Sequence, residues 1–140
     1  MENITSPLTF LIQLSSLQTF FLKSISQHLG EHGIGFTEFL ILHYLQDTQG
    51  EAMRRGDLAG HLGLSVSSVT RLLMPMQKIG LIQKEVSPEK AHSSLVTITS
   101  AGKKARTNAA VTIGSVMSEL TKSLCPEQLN SVARCFEGQR

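Results

Sequence analysis

Gly63 is the residue that most constrains what this chain can fold into. It ends one short apolar-periodic segment, Arg55 to Leu62, and Ser65 opens the next, which runs to about Ile79 and stops at Gly80. A glycine just past a helix takes up the left-handed turn that side chains resist, and a serine just before one satisfies its free amides. Two short helices joined by such a turn form a helix-turn-helix. After Gly80 the period changes. "LIQKEV" and "LVTIT" are rich in branched residues and roughly alternate, with the polar stretch "SPEKAHSS" between them. That pattern predicts a hairpin, and a helix-turn-helix followed at once by a hairpin is a winged helix.

The rest of the chain reads as helix. Ser6 and Pro7 start a first helix that runs to about Leu29 and stops at Gly30. Its apolar residues, among them Leu8, Phe10, Leu11, Phe20 and Phe21, do not keep to one stripe. A helix apolar around most of its girth is covered on several sides. In 140 residues there is little to cover it with, so a second subunit is the expected cover. Thr37 can cap a second helix to about Asp47, and Thr99 or Ser100 a long one. In the long helix Ala105, Ala109, Ile113, Val116, Leu120 and Leu124 recur at spacings of three and four. Pro126 starts a last short helix. The fold class is therefore mainly α with a small β-hairpin wing, in one domain spanning 1–140. The run Leu8 to Leu22 is too short, and too broken by Gln13, Ser15, Ser16, Gln18 and Thr19, to predict a membrane span. No basic residue precedes it, as a secretory leader would require. Two cysteines, Cys125 and Cys135, make no disulfide framework and fit a cytoplasmic setting.

The fourth helix divides by chemistry. Val69, Leu72, Leu73 and Met76 form its buried side. Ser67, Ser68, Thr70 and Arg71 lie on its other side near the start. Small hydroxyl side chains let a backbone approach duplex DNA and hydrogen-bond to phosphates or base edges, and Arg71 can pair bidentately with guanine or hold a phosphate. The net charge is only +2. Between Arg54 and His92, however, there are six basic residues (Arg54, Arg55, Arg71, Lys78, Lys84, Lys90) and three acidic ones (Asp57, Glu85, Glu89), which gives +3. The basic middle favours an anionic partner there.

"DLAGHLGLSVSSVTRLL", "KIGLIQKE" and "SPEKAHSSLVTITSAGKKA", in this order, resemble the MarR family of bacterial transcription regulators over about Asp57 to Ala105. The flanking helices match that family only in order and length. The resemblance implies a dimer held by the first and last helices (about 6–30 and 100–140) around a winged-helix lobe (about 37–99). It also implies a DNA site of two half-sites and a pocket for a small effector. On it, Ser65, Ser67, Ser68, Thr70 and Arg71 are the expected major-groove residues. Arg54, Arg55, Lys84, Lys90 and His92 are expected near phosphates. The aliphatic and aromatic first helix makes an apolar or aromatic effector the expectation.

The chain departs from the family in two places. The family wing usually carries Asp and Arg where this chain has Lys90 and His92 within Ser87–His92. A neutral histidine anchors phosphate less well than arginine, so weaker binding is expected, steeper in pH if His92 takes part. Pro75 stands inside the recognition helix and predicts a kink. Met74 stands where the family often has Asp, at a position usually exposed. The altered wing motivates a second reading, a winged helix that binds protein and has weak or lost DNA binding.

Other groups carry weaker signals. Lys103, Lys104 and Arg106 open the long helix at its unfavourable end, as a solvated face or a partner face. His28 and His32 have the spacing of metal ligands on a helix, but Gly30 interrupts and no third ligand is evident, so no metal site is expected. His43 and His61 read as core-edge or pocket residues. Cys125 and Cys135 read as half-buried structural thiols, with an oxidant-sensing switch as the alternative. No phosphate loop, nucleophile elbow or carboxylate pair suggests an enzyme.

Overall fold

A computed structural model describes residues 5–85, 95–135 and 137–138. Helix α1 spans Pro7–Leu29, α2 Phe36–Asp47, α3 Arg55–Leu62, α4 Val66–Lys78, α5 Ser100–Leu120 and α6 Pro126–Arg134. Strands β1 (Ala52–Arg54), β2 (Ile82–Glu85) and β3 (Leu95–Ile98) form an antiparallel sheet in the order β1-β3-β2. The hairpin partners β2 and β3 were expected. Strand β1 was not, because three residues are too few to show alternation.

The core lies inside the lobe between α2, α3, α4, the sheet and the near part of α5. Ile41, Leu42, Leu45, Leu58, Val69, Leu73 and Val96 are wholly buried. From α1 only Ile25 and Leu29, in its last two turns, enter it. The cost of removing such a side chain from the core is about 2–5 kcal/mol, which is why the lobe holds its shape. No polar or charged residue is buried among the described residues.

Several caps follow the expectation. The Ser6 hydroxyl accepts from the Thr9 amide at 3.1 Å, and Thr99 accepts from the Gly102 amide at 3.0 Å. Three helix ends differ. Gly30 keeps right-handed helical angles and opens a 3₁₀ turn through His32; the left-handed residue is Gly33, at φ 68°. Helix α2 begins at Phe36 with Gly35 as its N-cap, so Thr37 lies inside the helix and does not cap it. Glu38 folds back over that end: a Cβ built at Gly35 would stand 2.6 Å from Glu38 Oε2. A carboxylate is favoured there by the amides it faces. Helix α5 stops at Leu120, so Leu124 falls beyond it.

Helix α1 also corrects the estimate made from Leu8–Leu22. Its 23 residues carry on to Leu29, and by length and composition it is apolar enough to cross a membrane. Its last turns, however, are built into the lobe core, and its length packs along α5.

Candidate nucleic-acid interface

Gly63 makes the turn that was expected of it. It sits at φ 65°, and its amide and that of Leu64 close back onto Gly60 and Ala59. The chain then enters α4 through Ser65, whose hydroxyl accepts from the Ser68 amide at 3.1 Å and donates to Ser68 Oγ at 2.9 Å. Both hydroxyls are thus engaged at the helix start. Val69, Leu73 and Met76 seat α4 on the lobe, and Leu72 is half-buried beside them. Ser67 and Arg71 are exposed on the opposite side.

Thr70 and Arg55 meet. The Arg55 guanidinium donates to Thr70 Oγ1 at 3.1 Å, and the Thr70 hydroxyl donates to the Val66 carbonyl at 3.0 Å. This contact ties the start of α3 to the middle of α4. It also gives the half-buried Thr70 hydroxyl two partners within the protein, contacts the sequence reading did not include. Arg54, at the end of β1, is exposed.

The sheet register separates the two strand cations. Arg54 pairs with Leu95, and Leu95 with Glu85. Lys84 instead pairs with Val96, which is buried. Directly opposed residues share a face of the sheet, so Arg54 stands on one face and Lys84 on the other. Lys84 is half-buried by its stem. Lys90 and His92 lie outside the described residues, as do Ser87 to Ala91 around them.

Helix α4 runs through Pro75 to Lys78. Proline has no N–H, so the Arg71 carbonyl lacks its usual partner one turn on. The helix recovers at once, and the Ile79 amide donates to the Pro75 carbonyl at 3.1 Å. Met74, Pro75 and Lys78 are exposed.

Much of the other chemistry is internal. Lys103 pairs with Glu51 at 2.6 Å across a half-exposed contact. Arg106 Nη2 donates to His43 Nδ1 at 2.9 Å. A guanidinium has no acceptor, so His43 Nδ1 carries the lone pair in this contact. His61 stacks on Tyr44 with ring centroids 4.8 Å apart, above a shallow depression that Gly56 and Asp57 also line. His28 Nδ1 lies 2.8 Å from the Ser24 carbonyl and His32 Nε2 lies 2.7 Å from Thr112 Oγ1. One nitrogen of each ring is thus engaged, and no group of three metal-binding side chains occurs among the described residues. Cys125 and Cys135 are exposed at the two ends of α6, not half-buried as expected. Helix α6 is too short and too peripheral to bury its own ends.

A second hollow of about 400 Å³ lies between α1, α2, α5 and α6. Leu17, Phe21, Phe36, Ile113, Met117 and Val132 make its wall apolar. Sequence reasoning placed an apolar effector near α1 but did not find these walls, which come from four separated segments.

A helix-turn-helix whose second helix presents an exposed polar front, followed by a strand pair, defines a winged-helix protein. Residues 36–91 match the model of the MarR family. The whole chain has the fold of that family's solved members. A mutant MarR from E. coli complexed with operator DNA superposes with a TM-score of 0.75 at 20% identity, covering 91% of this chain and 89% of that one. Sco3205 from Streptomyces coelicolor, a MarR family transcriptional regulator in complex with DNA, gives 0.78 at 17%, covering 95% and 86%. CouR from Rhodococcus jostii RHA1 bound to p-coumaroyl-CoA gives 0.80 at 16%, covering 95% and 91%. No curated protein sequence gave a match. The chain has a winged helix-turn-helix fold, and its residues 36–91 are similar to the MarR family.

Proposed function

We propose that this chain is a homodimeric, sequence-specific DNA-binding transcription regulator, cytoplasmic and not an enzyme, and that it acts as an effector-responsive repressor. The observation that carries the reading is α4 itself. It is a seated helix whose outward side opens with Ser67 and Arg71, on a fold shared with two proteins solved on DNA. Arg71 is the long cation on that face nearest the helix start, where the free amides also favour phosphate. The exposed Arg54 adds a phosphate contact from the sheet, and Lys84, Lys90 and His92 from the wing. Ser65 and Ser68 shape the helix start, and Thr70 holds Arg55 in place.

The dimer is supported by α1. Leu8, Phe10, Leu11, Ile12 and Phe20 are all about half exposed or more, an apolar surface that a second subunit would cover. The apolar hollow between α1, α2, α5 and α6 fits a small apolar or aromatic effector, and CouR was solved with an aromatic acyl-CoA. An effector there would favour one spacing of the two recognition helices over another and so weaken binding.

Fluorescence anisotropy on a labelled duplex from upstream of the chain's own gene, against scrambled DNA at two salt concentrations, tests this. Specific binding that falls steeply with salt is the expected result. Arg71→Ala should lose about 1–3 kcal/mol of that binding. Equal, feeble and salt-independent binding to both duplexes, with a regulator's DNA targets also missing from a random-pool selection, would favour the second reading, a winged helix that binds protein. The exposed Met74 and Ile79 on the lobe are the observation that keeps that reading in view.

A further inference from the structure

Met74 is the most exposed large apolar residue of α4, and neither the core nor the proposed polar contacts absorb it. Val69, Leu73 and Met76 fix which way the helix faces inward. With about 100° between successive residues, the pole opposite them runs along Ser67, Arg71, Met74 and Lys78. Ser67 and Met74 are seven residues apart and so lie within about 20° of one another around the axis. Met74 is thus on the outward side, along the axis between two cations, one turn before it at Arg71 and one turn after it at Lys78. It is 61% exposed and lies outside the buried core cluster. The helix that carries it is rigidly seated, so the ridge is presented as one surface.

We infer that Met74 is a specificity-determining residue, and that it reads the 5-methyl group of thymine in the major groove. Resting on the DNA-binding reading above, this assigns the ridge its apolar element. The major groove offers one apolar feature for such a side chain, and that is the thymine methyl. A thioether on an unbranched stem adapts its reach to a methyl at variable depth. The flanking Arg71 and Lys78 supply the phosphate attraction that Met74 lacks, so a neutral residue between them costs little affinity and adds discrimination.

The test removes the methyl and nothing else. A duplex is first selected from a random pool with the wild-type protein. Each thymine of the enriched site is then replaced in turn by deoxyuridine, and binding is measured for wild type and Met74→Ala. One or two positions per half-site should weaken wild-type binding about fourfold, the effect of losing one methyl from contact. At those positions Met74→Ala should show less than about twofold further loss, since the contact is already gone. Deoxyuridine penalties that are equal in both proteins, or absent at every position, would overturn the assignment while leaving the regulator intact. A pool in which nothing is enriched would overturn both readings together. Met74 is exposed, so an unchanged thermal midpoint in Met74→Ala separates loss of reading from loss of fold.

Discussion

The two ends of the molecule are finished to different degrees. In the winged-helix lobe the side chains that seat each helix are buried, and the entries to α4 and α5 are closed by serine and threonine caps. Along α1 and α6 most of the large apolar side chains face outward, and α6 buries nothing. The lobe is stabilised by its own residues. The arms have apolar surface to spare, and that surface is where the proposed dimer would gain its stability. The contrast teaches that sequence apolarity alone does not locate a core, since α1 is among the most apolar segments and among the least buried.

The largest test of this contrast is to charge the arm. Leu11→Asp with Phe20→Asp should sediment as a monomer. DNA affinity should fall about 100-fold or more, because two half-sites are no longer engaged at once. A dimer of unchanged stability would break the comparison. In the lobe, Leu73→Ala removes a wholly buried side chain and should cost about 2–5 kcal/mol in chemical denaturation, with the dimer constant unaffected once the protein is folded. Gly102→Ala comes next. A Cβ there would collide with the Leu81 carbonyl and stand 2.8 Å from Ile98 Cγ1, so about 1–3 kcal/mol should be lost as α5 is pushed off the sheet. Smallest is Lys103→Ala. Its half-exposed pair with Glu51 should contribute less than about 1 kcal/mol, read as a small change in denaturation midpoint that shrinks further in salt.

What could be read from the sequence follows the range of the forces. The caps and turns made by Gly63, Ser65 and Thr99 close within four residues, and each is where local rules put it. Helix α4 was legible because its buried and exposed sides differ in chemistry as well as position. Strand β1 escaped because it exists only through pairing with β3, more than forty residues on. The contact between Thr70 and Arg55 could not be read, because nothing near Thr70 in sequence reveals Arg55, which reaches it from the preceding helix. Helix α1 ends at Leu29 with Gly30 as its C-cap, as its residue type suggested, but the left-handed turn belongs to Gly33, three residues on. The split of Arg54 and Lys84 between opposite faces likewise depends on a register that only pairing sets.

Thr99 has a mechanical consequence. Its hydroxyl is shared between the Gly80 carbonyl at 2.6 Å and the Leu81 carbonyl at 3.0 Å, while it accepts from the Gly102 amide; its own amide also donates to Leu81. One residue thus pins the exit of the recognition helix to the root of α5. Helix α5 is about 30 Å long, so it is a lever with its fulcrum at that pin. A shift of about 3 Å at its far end corresponds to a tilt of only a few degrees. With no slack at Thr99, that tilt would be passed to α4 as a rotation of the lobe, so that in the proposed dimer a side-chain rearrangement among the arms would change where the two helices meet DNA.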